Sequence, residues 1–185
     1  MSGIRKYPKN IFDDRFVLTL KPVAVETPQE LVKGLGVEYL LIGSKRFSEV
    51  SDDDVDHFIS YRGTMPVDTW YHFHCKKGKS RTTFFLSILD MMHNADKLSM
   101  EEIVARQKLI GGINLFDITP KDPNWENEVI SKKQWIVFLA RFHRYAKENK
   151  NDNFKSSWKK WSAAHADYMP NINHLVFIKP HSNDK

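Results

Sequence analysis

His74-Cys75-Lys76-Lys77-Gly78-Lys79-Ser80-Arg81-Thr82 places the chain's only cysteine six residues before an arginine, with a glycine between them. Each residue type in this stretch suits an anion. The thiolate is the nucleophilic form of cysteine, and its pKa falls near cations and at a helix N-terminus. A tightly curved loop turns successive N–H groups inward and makes a nest for negative charge. A guanidinium offers a planar fork that fits two phosphate oxygens at once. Gly78 relieves the backbone where the loop is tightest. Cys75, Arg81 and Thr82 are therefore the candidate chemical groups. Lys76, Lys77, Gly78, Lys79, Ser80 and Arg81 form the candidate phosphate cradle, with His74 as a support that orients the loop.

A lone free cysteine is most often a small buried hydrophobe, so the flanks decide. Asp68-Thr69-Trp70-Tyr71-His72-Phe73-His74 is aromatic, follows Pro66, and reads as a buried strand entering the loop. Thr82 to Met92 is apolar nearly all round and reads as a buried helix. Strand, basic loop and helix N-terminus in succession make a phosphate-binding arrangement. Two other readings of these residues fail. Gly78-Lys79-Ser80 ends like a nucleotide-binding loop, but that motif needs glycine where Phe73 stands. His72, His74 and Cys75 lack a second cluster of His or Cys at ligand spacing, so no metal or other cofactor is expected.

The loop resembles the Cys-x5-Arg signature of the protein tyrosine phosphatase superfamily. Trp70 to Cys75, Gly78 and Arg81-Thr82-Thr83 resemble the bacterial cysteine phytases, or PTP-like inositol polyphosphatases. Arg106 to Gly112, Arg144-Tyr145, Glu148-Asn149, Trp158 and Trp161 extend the similarity over roughly Gly36 to His165. The resemblance implies an α/β, protein tyrosine phosphatase-like fold with a short, mostly parallel sheet surrounded by helices. It also implies a hydrolase that attacks phosphate monoesters through a cysteinyl-phosphate, with Cys75 as nucleophile, Arg81 as phosphate clamp and Thr82 stabilising the leaving thiolate. Related enzymes carry an aspartate general acid on the loop before the catalytic strand. Ungapped alignment back from Trp70 puts Arg46 there, with Glu49 or Asp52 as substitutes. Lys77 stands where phytases commonly have alanine, and Ser80 where they have glycine.

The rest of the chain fits one compact domain. Its 185 residues, 41% hydrophobic and 12% aromatic, suffice to bury a core. The expected division is an N-terminal extension, 1–35, packed on a phosphatase-like domain, 36–170, followed by a tail, 171–185. Phe16–Leu20 and Val37–Ile42 read as strands, the second buried and parallel to the His72 strand through a right-handed crossover. Thr27-Pro28, Ser51 with Asp54, and Ser99 with Glu102 mark helix starts. Gly34 with Gly36, and Gly111-Gly112, mark helix ends. A longer helix carries Trp135, Phe138, Leu139, Phe142, Tyr145 and Ala146 at helical spacing, a core stripe and not a base-stacking surface.

The net charge of +5 suits an acidic partner. Three lysines beside one phosphate site help only when the substrate carries further phosphates. That favours an inositol polyphosphate over phosphotyrosine; charge alone also allows nucleic acid or an anionic membrane, and the core reading of the aromatic stripe disfavours nucleic acid. Lys76, Gly78 and Lys79 also resemble the loop of a phosphoinositide 3-phosphatase. A phosphoinositide or protein phosphatase, or a weakly active phosphate-binding pseudophosphatase, is therefore the alternative. No transmembrane segment or signal peptide is read. The default compartment is the cytoplasm, with export or delivery into a host cell left open, and oligomeric state is not legible.

Overall fold

Capping residues set where the helices begin. The computed structural model describes residues 5–8, 17–20, 25–43, 50–120 and 126–177, in two compact units divided between Leu41 and Ile42. In the first unit, β1 (Arg5–Pro8) pairs antiparallel with β2 (Val17–Leu20), in a register that sets Arg5 opposite Leu20. Phe16, the first residue of the predicted strand, lies outside the described residues. Helix α1 (Pro28–Lys33) starts with Thr27 accepting from the Glu30 N–H at 3.2 Å, while Glu30 accepts from the Thr27 N–H at 2.7 Å. This is the reciprocal capping box.

The second unit is built from helices. Ser51 caps α2 (Asp52–Thr64), accepting from the Asp54 N–H at 3.1 Å. Its Val55, Phe58 and Ile59 are buried, as their helical spacing predicts. Helix α3 (Ser80–Asn94) follows the basic loop. A capping box of Ser99 and Glu102 opens α4 (Met100–Leu109), and the long α5 spans Glu126–Asn149. A short α6 (Trp158–Ala164) is capped by Ser157. The predicted stripe of α5 is core: Leu139, Phe142, Tyr145 and Ala146 are fully buried, and Trp135 nearly so.

An aromatic cluster joins α3, α5 and α6. Phe84 packs on Trp135 at 4.9 Å and on Phe138 at 5.3 Å between ring centroids, and Phe138 packs on Trp158 at 5.0 Å. Hydrogen bonds then fasten α6 to α2. The Trp158 indole donates to Asp52 at 2.6 Å, and its backbone N–H donates to Asp56 at 2.5 Å. Asp52 is thus more than a helix-start charge. It orients a buried tryptophan.

The expected parallel sheet is not formed among the described residues, whose strands are the β1–β2 pair. Val37 to Ile42 forms no strand, with Val37 55% and Leu41 73% exposed, so the reading of a buried strand is corrected. Asp68 ends a turn, and Thr69 to His74 runs outside any strand, its residues alternating between half-buried and exposed, with Trp70 81% exposed. Tyr71 and Phe73 form its inner face, Phe73 lying 6.0 Å from the Phe58 ring, while Trp70, His72 and His74 stack along the outer face. Strand character requires partners for backbone N–H and C=O groups. Period-two side chains alone do not make a strand, and the predicted crossover between these two runs has no ladder here.

One buried charge organises the helical frame. Asp90, 9% exposed on α3, accepts from Arg106 Nε at 2.9 Å and from its terminal nitrogen, from Gln107 at 2.9 Å, and from Asn94 at 2.9 Å. A buried carboxylate is tolerated only with such partners. Replacing it by alanine leaves the buried Gln107 amide unmatched. Asp90→Ala is expected to lower stability by about 2–3 kcal/mol, read from the midpoint of urea unfolding, with α4 losing amide-exchange protection first.

Candidate active site

The segment ending at His74 delivers Cys75 to the mouth of a loop that ends in α3. Cys75 is half-buried, while Lys76, Lys77, Gly78 and Lys79 are exposed. The Gly78 N–H closes a turn onto the Cys75 carbonyl at 3.1 Å, and Gly78 adopts φ +61°. That left-handed conformation suits a residue without a Cβ. Ser80 opens α3, and Arg81 and Thr82 complete its first turn, so the sequence motif is one continuous structural feature. His74 is exposed on the outer face, its ring stacked on His72 at 5.8 Å.

The start of α3 differs from its neighbours. Helices α1, α2, α4 and α6 are each capped by a Thr or Ser side chain, whereas Lys79 at the head of α3 supplies none. The N–H groups of a helix's first turn have no intrahelical acceptor. Here the Thr82 N–H faces the sulfur. Burial would push the Cys75 thiol up, but the Thr82 hydroxyl and the N–H groups of Lys77, Thr82 and Lys79 outweigh it and bring the pKa down to about 6. The Thr82 hydroxyl is buried with no partner in full hydrogen-bonding geometry, and the sulfur is the acceptor whose charge it favours. Near neutral pH the loop therefore holds a thiolate beside a guanidinium-bearing helical turn.

Thr83 anchors this arrangement to the frame. Its N–H and hydroxyl both donate to the Lys79 carbonyl, at 2.8 and 3.1 Å, and its hydroxyl oxygen accepts from the Ile113 N–H at 3.1 Å. Gly112 packs directly against it. A Cβ at Gly112 would lie 2.8 Å from the Thr83 methyl and 2.6 Å from the Gln107 carbonyl, closer than atoms can approach. The run Arg106 to Gly112 is thus a support: its start clamps Asp90 and its end braces the loop. Sequence reading singled out the segment without its role. Asp90 was missed, although a lone acid within Leu89-Asp90-Met91 signals a buried partner.

Beside the loop lies a crevice of about 20 Å³ bounded by Ser80, Asn114, Asp117, Lys132 and Trp135. A larger groove of about 890 Å³ runs between α5 and α6 past Phe138, Arg141 and Met169 and includes no loop residue. Among the described residues no group of three or more His, Cys, Asp or Glu could hold a metal. Lys45, Arg46 and Glu49, the predicted acid loop, lie outside the described residues.

The depressed thiol pKa gives a direct check. Alkylation of Cys75 by iodoacetamide is expected to rise with pH about a midpoint near 6. Thr82→Val removes the hydroxyl donor and moves that midpoint upward; Thr82→Ser retains it. The sign for stability follows. The thiolate's contribution is complete above the ordinary thiol range and is lost as pH falls through about 6.

Comparison with known proteins places this geometry. Residues 9–93, which include the whole loop, match the PTP-like phytase family model, described by inositol hexakisphosphate. The PTP-like myo-inositol phosphatase of Mitsuokella multacida, solved in complex with myo-inositol-(1,3,4,5)-tetrakisphosphate, superposes with a TM-score of 0.73 at 31% identity, over 88% of this chain and 28% of that one. Effector protein hopD2 of Pseudomonas syringae pv. tomato is 27% identical over 150 residues, covering 78% of this chain and 30% of its own length. Protein AvrBs1.1 of Xanthomonas campestris pv. campestris is 31% identical over 97 residues, covering 52% of this chain and 91% of its own. The chain therefore spans less than a third of hopD2 and of the Mitsuokella enzyme. The fold is protein tyrosine phosphatase-like, and the chain belongs to the PTP-like phytase family.

Proposed function

We propose that the chain is a cysteine-dependent phosphate-monoester hydrolase acting on inositol polyphosphates. The observation that carries this reading is the Cys75 thiolate, brought to a pKa of about 6 by N–H groups and a hydroxyl that converge from the loop and the uncapped start of α3. The Mitsuokella relative bound to an inositol tetrakisphosphate supports the substrate class. So do the exposed Lys76, Lys77 and Lys79, which can meet phosphates beyond the one being cleaved.

The chemistry follows from the placement. Cys75 attacks phosphorus in line, forming the S–P bond as the bond to the inositol oxygen breaks. Arg81 and the loop N–H groups hold the equatorial oxygens and stabilise the transferring phosphoryl group, the largest contribution such a site makes. Water then attacks the cysteinyl-phosphate, releasing inorganic phosphate and regenerating the thiolate, with Thr82 donating to the departing sulfur. His74 acts as a positioning residue through the segment that precedes the loop.

A specific observation favours a second reading. Arg46 occupies the aligned general-acid position, and general acid catalysis contributes about 10²–10⁴-fold. Without it the site is a phosphate-binding module with slow turnover. The effector relative fits a protein delivered into a host cell. No helix among the described residues is long and apolar enough to cross a membrane.

Phosphate release from inositol hexakisphosphate tests the enzyme reading. Cys75→Ser should reduce it by at least about 10³-fold while calorimetry still detects binding; activity near wild type would remove Cys75 as nucleophile. Arg81→Lys should cost about 10²–10³-fold, because an ammonium lacks the bidentate fork.

Leaving-group dependence tests the missing acid. An inositol alkoxide departs poorly unless protonated, whereas a nitrophenolate leaves unaided. If nothing replaces the acid, aryl phosphate hydrolysis persists and inositol phosphate hydrolysis is slow. Arg46→Asp then raises the second more than the first. Robust wild-type turnover of inositol hexakisphosphate, lost in Glu49→Gln and insensitive to Arg46, would assign the acid to Glu49.

A further inference from the structure

Leu109 and Ile110 are consecutive, 86% and 69% exposed, and they stand beside the exposed Lys108. Single exposed apolar residues need no explanation, but adjacent ones on a rigid, basic ledge do. The ledge is rigid by construction. The Ile110 N–H bonds to the Arg106 carbonyl at 3.2 Å, the Gly111 N–H to Lys108 at 3.2 Å, and the Gly112 N–H to Gln107 at 2.9 Å. Arg106 and Gln107 are themselves fixed on Asp90. Because Met100, Ile103, Val104 and Gln107 face the core, the two apolar side chains cannot rotate inward without dismantling α4.

This ledge adjoins the phosphate loop. Ile113 donates to Thr83, which holds the Lys79 carbonyl, and Gly112 touches the Thr83 methyl position. Ile110 is two residues from Gly112, no more than about 7 Å along the chain. Lys76, Lys77 and Lys79 are exposed on the loop and Lys108 on the ledge; Asp117 lines the crevice beside Ser80, and the exposed Glu101 and Glu102 stand at the opposite end of α4 from the ledge.

We propose that the α4 ledge and the Cys75–Arg81 loop form one interfacial surface that docks on an anionic lipid bilayer, where the site takes phosphoinositide headgroups. The inference rests on the phosphatase reading above for its substrate and on the exposed ledge for its docking. A soluble sugar phosphate needs cations alone and gains nothing from an exposed Leu-Ile pair. A bilayer uses both: apolar side chains enter the headgroup boundary while lysines meet the anionic lipids. Each lysine near such a surface is worth about fivefold in partitioning.

Vesicle sedimentation tests it with the full chain. Wild type should bind vesicles of phosphatidylcholine containing about one-fifth phosphatidylserine, bind phosphatidylcholine alone far less, and release as salt rises. Leu109→Asp with Ile110→Asp should cut binding by at least about tenfold, and Lys108→Ala by about fivefold. Leu109→Ser with Ile110→Ser guards against misfolding, with circular dichroism as the control. All three variants should keep wild-type rates on soluble inositol hexakisphosphate and on a short-chain, micelle-free phosphoinositide, and lose turnover only on vesicle-borne phosphoinositide. Wild-type protein that hydrolyses the soluble substrates but stays in the supernatant overturns docking and leaves the phosphatase reading intact. Docking without phosphate release from any substrate overturns the phosphatase reading and leaves docking intact. Equal loss of soluble and vesicle-borne turnover in the folded variants would show that the ledge serves the loop and not a bilayer.

Discussion

A thiolate at Cys75 exists near neutral pH only while several donors point at one sulfur, and each donor is fixed by where α3 begins. The N–H groups of Lys77, Lys79 and Thr82 and the Thr82 hydroxyl lie on consecutive turns of a single path. A small rotation of that first helical turn would spread them apart. The chain prevents it from two sides. Thr83 ties the Lys79 carbonyl to Ile113 and leaves no room beside Gly112, while Asp90, two turns further along α3, is clamped by α4. Loop chemistry and frame packing are thus one problem solved by the same pair of helices.

Most of the helical frame is legible in the sequence because its signals are local. Thr27, Ser51 and Ser99 each sit three residues before an acidic partner, and each starts a helix where the pattern puts it. The turn that follows Cys75 is legible for the same reason: Gly78 takes a left-handed conformation and α3 opens within the motif. What fails is non-local. Val37 to Ile42 and Asp68 to His74 have strand composition, yet a strand is defined by its neighbour, and neither run finds one among the described residues. Pairing of Arg5–Pro8 with β2 was equally invisible, since nothing in Arg-Lys-Tyr-Pro announces it.

The acids show the same division. Asp52 and Asp54 look alike as helix-start charges, but the Asp54 carboxylate accepts from the Ser51 hydroxyl beside it, and Asp52 holds a tryptophan from the far end of the chain. Asp90 is one residue in an apolar helix whose partners lie 16 and 17 positions away. Side-chain chemistry predicts that such a group needs partners; only the fold says which.

The Asp56–Trp158 bond joins residues 102 positions apart, and the Asp52–Trp158 bond 106. During synthesis, α2 therefore emerges from the ribosome long before the helix that locks it, and Phe138 and Phe142 await the same indole. Local contacts between α3 and α4 can form early, whereas closure across so long a loop comes late. The α2–α6 junction is accordingly the last of these contacts to close, and Trp158 is its latch.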